Sequence, residues 1–115
     1  MTAFFSALFG AQSSDEPGWL KPEDLAPHVP DILIVDVRGP GEFTGPLGHI
    51  DGARNIPLDV FAGETDALAA HAGPIVLVCH TDRRSSAAAA HLRAAGATDV
   101  TVLRGGMVAW RADGR

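Results

Sequence analysis

With 115 residues, 46% of them hydrophobic and 20% charged, the chain holds material for one compact core and not for two. Its formal net charge of −5 excludes a general nucleic-acid binder, which needs a basic face to neutralise phosphates. One cysteine, Cys79, excludes an internal disulfide and an all-cysteine zinc site; the five histidines stand at no metal-ligand spacing, so neither a metal nor a cofactor is expected.

The segment 1–18 sets Phe4, Phe5, Leu8 and Phe9 at helical spacing but has no basic residue ahead of Lys21, and its apolar stretch is far too short for a membrane span. It reads as an amphipathic arm and a polar linker, "AQSSDEPG", ahead of one domain over 19–115. No signal peptide or membrane partner is expected, and a reducing cytoplasm is the simplest setting. "LKPEDLAPH" is predicted as a short helix, with Pro22 in its first turn and Glu23 and Asp24 where they suit the helix dipole. "DILIVDVR" (31–38) is an apolar run of strand length, the pattern of a strand buried on both faces. The next stretch, 39–53, is too rich in Gly and Pro to be regular throughout.

Residues 54–58 read as a short edge strand, 66–73 as a helix with Gly73 past its end, and "PIVLVC" (74–79) as a second buried strand. "SSAAAAHLRAAG" (85–96) is a helix stopped by Gly96. A third strand with a tight turn covers 99–106, where Gly105 and Gly106 let the backbone turn, and a last short helix covers 107–114. Strands separated by helices place the chain in the α/β class, with a parallel sheet covered on both faces.

In such sheets the binding crevice lies beyond the carboxyl ends of the strands, and Cys79 stands at one such end. The loop 80–84 can curl its N–H groups around the sulfur while the positive end of the next helix points at it. With Arg83 and Arg84 nearby, these surroundings favour thiolate over thiol and make a cradle for an anionic partner.

Five pieces in this order, "DVR" (36–38), "EF" (42–43), "GHIDGARNIPL" (48–58), "CHTDRRS" (79–85) and "LRGGMVAW" (103–110), make the chain from Trp19 onward resemble the rhodanese family of sulfurtransferases. The resemblance implies a single rhodanese-like domain, a five-stranded parallel sheet flanked by helices, and a Cys79 persulfide that moves sulfane sulfur from donor to acceptor. Thiosulfate or a similar small anionic donor would load the sulfur, and cyanide or a thiol would remove it. The alternative is a binding or sulfur-carrier module that acts on a specific protein partner without appreciable turnover of small donors.

Related folds house dual-specificity phosphatases, whose loop is one residue longer. Here only His80, Thr81, Asp82 and Arg83 separate Cys79 from Arg84, a spacing that suits sulfur. The resemblance points to Cys79 as the nucleophile and to Arg84 with the loop amides as the grip on the donor. His80, Thr81, Asp82, Arg83 and Ser85, in the same loop, are expected with Arg84 to make up the substrate-binding site. Asp82 stands where the family often has glycine, and is expected to turn outward or pair with Arg83. Ser85 is expected to cap the helix by accepting from its first N–H groups. Asp36 and Arg38 are expected to tie down loops behind the crevice, Glu42 and His49 to pair with each other, and Trp110 to lie in the core.

Overall fold

In the computed structural model, which describes residues 18–115, the three apolar runs become the inner strands of one sheet. Its strands are β1 Gly18–Leu20, β2 Leu33–Asp36, β3 Arg54–Asn55, β4 Ile75–Val78 and β5 Val100–Leu103. The helices are α1 Pro22–Leu25, α2 Pro40–Phe43, α3 Leu58–Phe61, α4 Thr65–Ala69, α5 Arg83–Ala94 and α6 Gly106–Ala112, with 3-10 turns at Ala26–Asp31 and Ala62–Glu64. Every strand pairing is parallel, in the order β1-β5-β4-β2-β3. The arm and linker read over 1–18 lie, Gly18 apart, outside the described residues. Among the described residues no helix is long and apolar enough to cross a membrane.

Because alternate side chains of a strand point to opposite faces, each inner strand feeds two cores. Val35, Ile75, Leu77, Val100 and Val102 pack with Phe61, Leu68, Ala88, Ala89 and Leu92 from α3, α4 and α5. On the other face Ile34, Val76, Val78 and Leu103 pack with Leu25, Met107 and Trp110 from α1 and α6. The helices therefore cover both faces, as the unbroken apolar runs require. The alanines of α5 have a packing reason: Ala88 and Ala89 are fully buried, and larger side chains there would hold the helix away from β4.

The chain leaves β2 toward the edge strand β3, crosses back over β2 to the central strand β4, and then proceeds the other way to β5. The order thus reverses between β2 and β4, and ligands of open α/β sheets bind beyond the strand ends at such a reversal. Val37 donates its amide to the carbonyl of Val78 at 2.9 Å, which carries the β2–β4 pairing right up to Cys79.

Four boundaries differ from the sequence reading. Gly18, Trp19 and Leu20 form the edge strand β1 against β5 instead of ending a linker and opening a helix. The helix read over 20–28 is split, since Pro27 and Pro30 lack the N–H groups that a regular helix would use, and a 3-10 turn replaces its second half. The strand read over 54–58 is two residues long, because Leu58 turns into α3 to bury Phe61. Helix α5 begins at Arg83 and not at Ser85.

Candidate functional site

Cys79 follows the last residue of β4 and is 1% exposed. The chain behind it is fixed by α6: Met107 donates its amide to the Cys79 carbonyl at 2.9 Å, and Val108 donates to His80 at 3.1 Å. These bonds turn the loop carbonyls toward α6 and leave the loop amides facing the other way. Among the described residues, none of the amides of residues 80–85 donates to a backbone carbonyl. Unmatched N–H groups around a sulfur form an anion-binding concavity. Helix α5 adds the positive end of its dipole to the same spot.

Gly106 makes this arrangement possible. Its φ is +58°, and a Cβ there would collide with the carbonyl oxygens of Thr81, Cys79 and His80. Gly105, at φ +77°, leads the chain into that turn and donates its amide to Asp82 Oδ2 at 3.4 Å. The partner of the Asp82 carboxylate is therefore the backbone of Gly105 and not Arg83.

Ser85 does not cap the helix. Because α5 starts two residues earlier, Ser85 sits within its first turn, fully buried, with Oγ 3.3 Å from Cys79 Sγ. The same hydroxyl donates to the Asp82 carbonyl at 3.2 Å, and Ser86 donates to that carbonyl at 2.6 Å. Ser85 thus couples the sulfur to the start of the helix.

Asp36 and Arg38 form a buried brace at the end of β2, each side chain 1% exposed. Arg38 Nε donates to Asp36 Oδ1 at 3.0 Å, Nη2 donates to Oδ2 at 2.8 Å, and the Arg38 amide donates to Oδ1 at 3.0 Å. Nη2 also reaches the Gly48 carbonyl at 2.6 Å, and Asn55 Nδ2 donates to the carbonyls of Asp36 and Arg38 at 3.0 and 2.8 Å. Arg38 thus ties the Gly48 turn to the end of β2, and Asn55, which the sequence reading gave no role, belongs to the brace.

Glu42 and His49 do not pair. His49 stacks on Phe43 with ring centroids 3.7 Å apart, its Nδ1 2.8 Å from the Phe43 carbonyl. Glu42 instead takes both arms of Arg84, Nη1 to Oε1 at 2.7 Å and Nη2 to Oε2 at 2.9 Å. The Arg84 hydrogen bonds hold the Glu42 carboxyl well below its ordinary range, down to about 2, and Glu42 in turn raises Arg84 above its ordinary value. Both side chains remain more than a third exposed. Arg83, His80 and Thr81 are exposed at the rim, and Arg83 makes no ion pair among the described residues. No group of three metal-ligating side chains comes together among the described residues. Trp110, 7% exposed, lies in the core.

The family model for the rhodanese-like domain matches residues 21–113, and the chain belongs to that family. It is 42% identical over 77 residues to the uncharacterised protein YqhL of Bacillus subtilis, an overlap of 67% of this chain and 59% of that one. It is 37% identical over 83 residues to the thiosulfate sulfurtransferase GlpE of Pseudomonas paraeruginosa, covering 68% of each chain. A rhodanese-related protein from Thermoplasma volcanium superposes with a TM-score of 0.73 at 25% identity, over 84% of this chain and 93% of that one.

Proposed function

We propose that this domain is a sulfurtransferase that carries sulfane sulfur as a persulfide on Cys79. The observation that carries the reading is the cradle itself: a buried sulfur at the end of the central strand, 3.3 Å from the Ser85 hydroxyl and followed by a loop whose amides donate to no backbone carbonyl among the described residues. The likeness to a relative named thiosulfate sulfurtransferase supports the same chemistry. In the first step the Cys79 thiolate attacks the outer sulfur of the donor, the donor's S–S bond breaks, and its remainder leaves with the electron pair; thiosulfate would release sulfite. In the second step cyanide or a thiolate attacks the outer sulfur of the persulfide, takes it as thiocyanate or a new persulfide, and returns the Cys79 thiolate. Loading and unloading alternate on one nucleophile, so the kinetics should be ping-pong.

The chain's own residues do the positioning. The loop amides and the α5 N-terminus stabilise the extra negative charge that the outer persulfide sulfur carries. Ser85 Oγ, within hydrogen-bond reach of Sγ, donates to the thiolate in exchange for its bond to the Asp82 carbonyl. Burial keeps water and oxidants from the sulfur between the two steps.

Intact mass tests the reading. Thiosulfate or an organic persulfide should add the mass of one sulfur atom to the wild type, cyanide should remove it as thiocyanate, and Cys79→Ser should do neither. No mass gain with any sulfane donor would overturn the proposal. A gain that cyanide cannot discharge but a protein thiol can would mark a carrier module in place of a small-molecule enzyme.

A further inference from the structure

The mouth of the cradle has an electrostatic character that the loop alone does not reveal. Two guanidinium groups, Arg83 and Arg84, stand there with three carboxylates: Glu42, Asp82, and Asp59, which lines one cleft with Arg84. Arg84, the group best placed to receive a dianion, has both arms taken by Glu42. With both terminal nitrogens bonded to one carboxylate, the end of the fork is occupied and much of its charge is offset, which weakens its grip on a sulfonate. Asp36 and Arg38 cancel within their buried brace and contribute no free charge.

Beside this mouth, where carboxylates outnumber guanidinium groups, lies a cleft of about 300 Å³ lined by Arg38, Glu42, Pro46, Leu47 and His80. Both charged residues in its wall are already paired, and Pro46 and Leu47 present hydrocarbon. The imidazole of His80 makes no hydrogen bond among the described residues. The cleft therefore offers shape and apolar contact, and little that would hold an inorganic anion. Its volume stands at the small end of ligand pockets.

Resting on the persulfide reading above, we infer that the donor this domain prefers is an organic persulfide, R–S–SH, over the thiosulfate dianion: Glu42 cancels the charge of Arg84, and the cleft of Pro46, Leu47 and His80 receives R. The Cys79 thiolate attacks the outer sulfur of R–S–SH, the S–S bond breaks, and R–S⁻ leaves with the electron pair. The proton stays on the transferred sulfur, giving Cys79–S–SH with no oxidant or reductant consumed. Glu42 is a specificity-determining residue in this scheme and touches no reacting atom.

The test compares loading of Cys79 by thiosulfate and by benzyl hydropersulfide, followed by intact mass in single turnover, each rate divided by that of a small free thiol with the same donor. The wild type should favour the persulfide. Glu42→Gln frees Arg84 and removes one negative charge near a dianion, so it should shift the ratio of the two normalised rates toward thiosulfate about tenfold. The ratio is internal to each folded sample, so partial unfolding of the variant does not alter it. Salt gives an independent reading on the wild type: added salt should speed thiosulfate loading, since it screens repulsion. Thiosulfate loading that slows with salt, or a ratio that Glu42→Gln moves by less than about twofold, overturns the inference while leaving the persulfide on Cys79 intact. Failure of both donors to load the wild type overturns the inference together with the reading beneath it.

Discussion

Two arginine–carboxylate pairs of the same chemistry stand near one cysteine, and their surroundings make them different devices. Asp36–Arg38 is 1% exposed on both side chains; in Glu42–Arg84 the corresponding values are 41% and 37%. In the buried pair every charge is committed: the carboxylate takes a backbone amide and two guanidinium nitrogens, and the guanidinium also holds the Gly48 carbonyl. Water cannot replace a missing partner there. At the exposed pair it can, so that pair adjusts the charge of the mouth without holding up the fold. Equal bonds thus serve architecture in one place and selectivity in the other.

The largest effect should come from breaking the buried pair. Arg38→Met leaves the Asp36 carboxylate without its cation in the interior and should cost about 3–5 kcal/mol in chemical denaturation. Replacing both partners, Asp36→Leu with Arg38→Met, should recover a large part of that loss, because the penalty belongs to the orphaned charge and not to the absent bond. A double variant as unstable as the single one would mean that Arg38 matters for its grip on Gly48 instead.

Gly106→Ala should follow, at about 1–3 kcal/mol, since it forces a Cβ into three loop carbonyls at a positive φ. Unlike Arg38→Met it should also abolish persulfide loading in whatever fraction remains folded, because those carbonyls orient the cradle. Ser85→Ala should cost about 1 kcal/mol for its buried hydrogen bonds. Its loading rate should fall by roughly tenfold if the hydroxyl donates to the thiolate, and stopped-flow loading of wild type and variant would measure that fall.

The smallest change in stability belongs to Glu42→Gln, about 0.2–1 kcal/mol, as for other solvent-screened pairs. Its sign with pH is specific. Arg84 holds the folded carboxyl near 2 against an ordinary 4.5, so the stabilisation is complete above about pH 4.5 and is lost as pH falls toward 2. Unfolding midpoints across that window should differ between wild type and variant at the top and converge at the bottom. The difference should shrink in high salt.

How much of this was legible beforehand depends on the range of each interaction. The inner strands and their faces could be read because a strand buried on both sides needs an unbroken apolar run, and Leu33–Asp36, Ile75–Val78 and Val100–Leu103 lie inside such runs. Asp36 and Arg38 could be read because the brace closes over two residues. Strand β1 could not: Gly18–Leu20 has no pattern of its own and is extended only because β5 pairs with it. The start of α5 was misplaced because two arginines before an alanine run look like loop, and that shift of two residues changed Ser85 from a cap to the neighbour of the sulfur. Glu42 and Arg84 lie 42 positions apart on different elements, and no spacing rule connects them. The reading that joined Glu42 to His49 followed nearness in the chain, where the fold follows nearness in space.

The amides of Met107 and Val108 that hold the Cys79 and His80 carbonyls have a consequence in time. Residues 106–108 belong to a different element from Cys79, and until α6 docks nothing turns the loop's carbonyls outward. Nucleophile and cradle therefore come together only on folding, when α6 closes behind the sulfur. A chain in which α6 has not docked should therefore hold a thiol without its cradle, and should not be loaded until it folds.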